Sequence, residues 1–153
     1  MKTKAVIIGF AHMHVNEVAL YISEQPDFEL IGAADVNAGE EKIPPLRYTA
    51  GWNLENVRKN YCANIYDDYK EMLDELKPDY AFIMCENCLK PEIVEECAKR
   101  HINVSIEKPI AVSYDEAKKI QASVERYGIE AVVNWPVVWR EYIHKMKFAL
   151  DRE

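Results

Sequence analysis

Residues 4–35, KAVIIGFAHMHVNEVALYISEQPDFELIGAAD, decide the fold. Val6-Ile7-Ile8 is a short β-branched run, the composition of a buried strand, and after it Val15, Val18, Ala19 and Ile22 recur at the spacing of one helix face. Leu30 to Ala34 is a second apolar run, and it ends at Asp35. Strand, helix and strand within about thirty residues make a βαβ unit, the building block of a parallel sheet.

The alternation continues outward from this unit. Pro44-Pro45 and Gly51 interrupt the weak stretch 36–62, where a loop and one short helix near Leu54 to Asn60 are expected. A brief strand at Ala63 to Tyr66 precedes a helix that puts Met72, Leu73 and Leu76 on one face and stops before Pro78. Tyr80 to Met84 reads as a central strand, continuously apolar because both faces of a parallel sheet are covered. Pro91 suits the first turn of a helix carrying Val94, Cys97 and Ala98, and Val104 to Ile106 form the next strand. Ser113 and Glu116 have the spacing of a capping box and open a helix that Gly128 ends. Ala131-Val132-Val133 is a sixth strand, and Pro136 is expected to start a last helix through about Leu150. Six strands alternating with helices predict an α/β fold, a Rossmann-type, doubly wound, mainly parallel sheet, since a closed barrel takes about 250 residues.

Composition narrows the function. The chain has 153 residues, 49% of them apolar, and a formal net charge of −7, which disfavours nucleic acid as a partner. The longest apolar stretch, Ala5 to Ala11, is too short to span a bilayer, and the basic start lacks a cleavage signal, so a cytoplasmic location without membrane association is the expectation. Four cysteines in such a chain read as reduced thiols. Cys85, Cys88, Cys97 and His101 suggest a zinc set at first sight, but the intervening helix separates the members by roughly 13 Å, too far for one tetrahedral ion.

Ligands of doubly wound sheets bind beyond the carboxyl ends of the strands. The turn after the first strand, Gly9 to His14, aligns with the dinucleotide fingerprint G-x-G-x-x-G but keeps its first glycine only, Ala11 and His14 standing at the other two positions. Asp35 follows His14 by 21 residues, where an acid takes the ribose hydroxyls and disfavours a 2′-phosphate, so NAD is expected over NADP. The candidate cofactor contacts are Gly9, Phe10, Ala11, His12, Met13, His14, Asp35, Cys85, Glu107, Lys108, Asn134 and Trp135. No metal is expected: His12 and His14 are two apart at a helix start, a spacing at which helical side chains do not face each other. Glu107-Lys108-Pro109 sets a lysine directly after a buried strand, where Lys108 is the candidate catalytic residue, orienting a hydroxyl or carbonyl and assisting proton movement.

The opening VIIGFAHMH (Val6 to His14), Asp35, the run YAFIMCENCLKPEIVEECAKRHINVSIEKPIAVSYDEAKKI (Tyr80 to Ile120) and VVNWPVVWR (Val132 to Arg140) together resemble the cofactor domain of the Gfo/Idh/MocA oxidoreductase family. The resemblance covers essentially the whole chain. It implies an NAD(P)-binding Rossmann domain over 1–136 and, over 137–153, a terminal helix that normally leads to a second substrate domain, absent from this sequence. It also implies that Lys108 lies between nicotinamide and substrate, with Glu107 beside it in the cofactor pocket and Asn134 and Trp135 closing the domain. Lys90 stands where the family commonly shows a histidine. The expected function is hydride transfer between nicotinamide and a hydroxyl-bearing small molecule such as a sugar or polyol, with a homo-oligomer left open for the full-length protein. The alternatives are an NAD-dependent glycosidase domain of the same family and a non-catalytic nucleotide-sensing module.

Overall fold

The computed structural model describes residues 2–37 and 46–151. Its strands are β1 (Thr3–Ile8), β2 (Phe28–Ala34), β3 (Ile65–Tyr66), β4 (Tyr80–Ile83), β5 (Asn103–Glu107) and β6 (Ala131–Asn134). Its helices are α1 (Val15–Glu24), α2 (Ala50–Asn60), α3 (Tyr69–Leu76), α4 (Lys90–Lys99), α5 (Tyr114–Tyr127) and α6 (Glu141–Leu150). All neighbouring strands run parallel, in the order β3-β2-β1-β4-β5-β6. This is the doubly wound α/β order, which reverses at β1.

Successive strand residues point to opposite faces, and β1 divides the core accordingly. Val6 and Ile8 pack with Met72, Leu73, Ile93, Val94, Cys97 and Ile120 under α3, α4 and α5. Ala5 and Ile7 pack with Val15, Ala19, Ile22, Leu54 and Val57 under α1 and α2. Residues 5–8 of β1 are all fully buried, as a central strand covered on both sides requires. On the α1 side the sheet beyond β1 is left partly open, and a groove of about 240 Å³ there is lined by Val18, Tyr21, Phe28, Phe82 and Ser105 among others.

Several expectations change in detail. The Pro44-Pro45 break lies outside the described residues. The third strand shrinks to Ile65–Tyr66, paired with Ala33 and Ala34 at the end of β2. Pro136 does not open the last helix. It opens a 3₁₀ turn, Pro136–Trp139, after which Arg140 is extended (φ −76°, ψ 134°) and α6 begins at Glu141. The pair Val137-Val138 explains the break, since β-branched side chains lose rotamer freedom in a helix. The capping box forms with one shift: Ser113 Oγ accepts from the Glu116 N–H at 3.3 Å, while the Glu116 carboxylate reaches past Ser113 to the Val112 N–H at 3.2 Å. Among the described residues no helix is long and apolar enough to cross a membrane.

Candidate functional site

The crevice at the point where strand order reverses is bounded by the turns that follow β1 and β4. Gly9, at φ +87°, makes the first of these turns. A β-carbon placed there would lie 2.5 Å from Cys85 Cβ and 2.6 Å from Cys85 Cα, so the two turns approach as closely as backbone allows. Main-chain bonds hold this approach: Gly9 N–H donates to Ala34 O (2.9 Å), and His12 N–H donates to Met84 O (3.3 Å). Phe10 turns its side chain into the core, at 2% exposure, which leaves only its backbone to face a ligand. Ala11 and Met13 are exposed on the turn.

A residue that sequence reasoning missed supports this turn from behind. Asn53, wholly buried on α2, donates to Phe10 O at 2.9 Å and accepts from Asn16 Nδ2 of α1 at 2.8 Å. Its sequence signal was an amide beside the apolar face formed by Leu54 and Val57. At the end of β2, Asp35 is buried and accepts from the Asn37 N–H at 3.2 Å, while the Asn37 amide donates to Glu86 Oε1 at 2.6 Å.

Across the crevice the charged side chains interlock. Glu107 ends β5 at 1% exposure, yet both of its oxygens are engaged: Oε1 lies 3.2 Å from His14 Nδ1, and Oε2 accepts from Asn134 Nδ2 at 2.7 Å. A carboxylate only accepts, so His14 presents its Nδ1–H to it. Lys108 Nζ lies 3.2 Å from His12 Nε2. The two imidazoles, expected to point apart, meet edge to face with ring centroids 4.5 Å apart. The helical spacing rule fails here because His14 caps α1 and His12 precedes it in the turn. Burial pushes His12 below its ordinary value; Glu107 opposes this, and His14, Lys108 and Lys90 add to it. Trp135 stays outside the network, half exposed.

His12, His14 and Glu107 thus converge, with candidate ligand atoms within 4.8 Å of one another. Hydrogen bonds already use these atoms. His12 Nδ1 accepts from the His14 N–H at 3.2 Å, and His12 Nε2 lies 3.2 Å from Lys108 Nζ and 3.8 Å from Glu107 Oε1. A cation would have to displace these partners and would sit beside the Lys108 side chain.

The free thiols follow the expected reduced pattern, with Cys62, Cys85 and Cys97 buried and Cys88 exposed. Burial pushes the Cys85 thiol up to about 12, away from the thiolate that a nucleophile uses. It faces the crevice as packing against Gly9.

A phosphate-binding style of turn, an acid at the end of β2 and a lysine at the end of β5, all on one edge of a doubly wound sheet, define a dinucleotide-binding Rossmann domain. The family model described as "Oxidoreductase family, NAD-binding Rossmann fold" (GFO_IDH_MocA) matches residues 3–134, and the chain belongs to this family. The Bacillus subtilis oxidoreductase YrbE, uncharacterized, is 25% identical over 116 residues, covering 72% of this chain and 34% of that protein. The fold matches myo-inositol 2-dehydrogenase from Lactobacillus plantarum with a TM-score of 0.77 at 17% identity, over 99% of this chain and 42% of that one. It also matches the WlbA dehydrogenase from Bordetella pertussis, solved with NADH and UDP-GlcNAcA, with a TM-score of 0.81 at 17% identity and the same coverage of each chain. The chain therefore spans about a third of the curated relative and well under half of these solved structures.

Proposed function

We propose that this domain serves an enzyme that moves a hydride between nicotinamide and the carbinol carbon of a hydroxyl-bearing substrate, a sugar or polyol, with NAD preferred to NADP. The observation that carries this reading is the placement of Lys108: its Nζ stands at the carboxyl edge of β5, 3.2 Å from a turn residue, His12, of the crevice where the cofactor binds. Alcohol oxidation divides into a hydride leaving carbon and a proton leaving oxygen, and the second needs a base within hydrogen-bond reach. Bound NAD supplies the hydride acceptor. Lys108 takes the hydroxyl proton and returns it in the reverse direction, while Glu107 fixes His14 and Asn134 on either side of the pocket.

The residues present fit the cofactor. Gly9 lets the two turns close up, Ala11 adds only a methyl to the exposed turn, and the side chain of His14 is drawn aside onto Glu107 instead of filling the helix start. The Asp35 carboxylate favours a free ribose diol and repels a 2′-phosphate, which is the basis of the NAD preference. In the longer protein a second domain supplies the substrate contacts; the exposed apolar side chains of Val137, Val138, Tyr142, Met146, Phe148 and Leu150 support a segment that packs there.

Calorimetric titration tests the cofactor half of this reading. Saturable NAD binding, weaker NADP binding and loss of the NAD signal in Asp35→Ala are expected; equal affinity for both cofactors, or binding unaffected by Asp35→Ala, overturns it. In a chain carrying the second domain, Lys108→Ala should cut turnover sharply with modest loss of NAD affinity. Sugar release without net NADH formation would replace the dehydrogenase with a glycosidase.

A further inference from the structure

Lys90, at the start of α4, is 1% exposed and heads the fully buried side chains by volume. Its Nζ donates to Asn87 Oδ1 (2.8 Å), Glu107 O (2.5 Å) and Pro109 O (2.6 Å). An ammonium has three N–H donors, and all three are spent. The two carbonyls belong to the residues immediately before and after Lys108. Pinning both to one nitrogen fixes the chain on each side of Lys108, whose Nζ lies 3.2 Å from His12 Nε2.

The geometry points to Lys90 as a positioning residue for Lys108, a buried ammonium that shapes the Glu107–Pro109 turn so that Lys108 Nζ stands at the crevice. The inference rests on the proton-carrying role proposed for Lys108. Its siting separates it from a general stabiliser: a buried ion is costly unless its hydrogen bonds are complete, and here two of the three go to the turn that carries Lys108. Burial pushes the ammonium below its ordinary value, while Cys85 and Glu107 pull it back up. Methionine in its place would fill similar space but leave the carbonyls of Glu107 and Pro109 without their partner.

Three measurements on the 153-residue chain test this. In the unaltered protein, through-hydrogen-bond NMR couplings from Lys90 15Nζ to the carbonyl carbons of residues 107 and 109 are expected, and their absence overturns the proposal. In Lys90→Met, the nuclear Overhauser contact between the Lys108 ε-methylene and the His12 ring should vanish. Val94→Ala, an apolar truncation on the same helix, should keep that contact despite its own loss of stability. A Lys108–His12 contact that survives in folded Lys90→Met overturns the proposal however unstable the variant is, and if that variant does not fold, the couplings decide. NAD affinity of folded Lys90→Met should fall by roughly tenfold or more, since small misplacements in a built site are costly. Failure of the unaltered chain to bind NAD would count against the proposed function, while the couplings and the Lys108–His12 contact would still decide the role of Lys90.

Discussion

The two walls of the crevice are built on different principles. The wall after β1 is a backbone wall: Gly9 has no side chain, Phe10 turns inward, and main-chain bonds to Ala34 and Met84 hold the turn against its neighbours. The wall after β5 is a side-chain wall: Glu107 reaches Asn134 and, across the crevice, His14 of the first turn, Lys108 reaches His12 of the first turn, and Lys90 holds the Glu107 carbonyl. The contrast fits a division of labour. A phosphate chain is held by close-approaching backbone, whereas proton transfer needs titratable groups at fixed distances.

The sharpest way to break the first wall is Gly9→Ala. The added methyl would overlap Cys85 and impose a left-handed conformation on alanine, and unfolding in denaturant should show a loss of about 3 kcal/mol. A loss below about 1 kcal/mol would mean that the two turns separate easily. The matching change in the second wall is Glu107→Ala, which deprives His14 and Asn134 of their acceptor; the expected cost is about 2 kcal/mol by the same measurement. Gly128 calibrates the first result. It shares the positive φ (+65°), but nothing lies within 4 Å of the place a methyl would take, so Gly128→Ala should cost about 1 kcal/mol, the conformational part alone.

The smallest effect is in the pH dependence. His12 is held below its ordinary 6.5, so between its folded value and 6.5 the unfolded chain binds more protons than the folded one. Its contribution to stability is therefore complete above about pH 6.5 and is lost as pH falls through that window. Melting temperatures of the unaltered chain and His12→Gln, followed from pH 7.5 to 5, should show the shallower acid slope in the variant. Parallel slopes would assign the acid response to other groups.

The backbone wall was largely legible in the sequence and the side-chain wall was not. Gly9, its following helix and Asp35 announce themselves by spacing, because the βαβ unit is local. Glu107 and Lys108 could be placed at a strand end, but their partners could not: His14 and His12 lie 93 and 96 residues away along the chain, and only the closed sheet brings them together. The metal expectation rested on a helical spacing rule that the turn conformation of His12 and His14 evades. Lys90 was hidden for a different reason: lysine is ordinarily a surface residue, and a string of letters does not show that three oxygens are waiting for it. Pro136 misled because proline marks a helix start only when the residues after it favour one.

The buried ammonium of Lys90 also bears on the order in which the chain is completed. A growing chain that has made α4 but not yet β5 holds this lysine with neither of its two carbonyl partners in existence, and burying it then would leave an uncompensated charge in an apolar layer. Seating of α4 on the sheet and formation of the turn at residues 107–109 are thus one cooperative event, so that the end of the sheet proposed to carry the chemistry closes with the second half of the core.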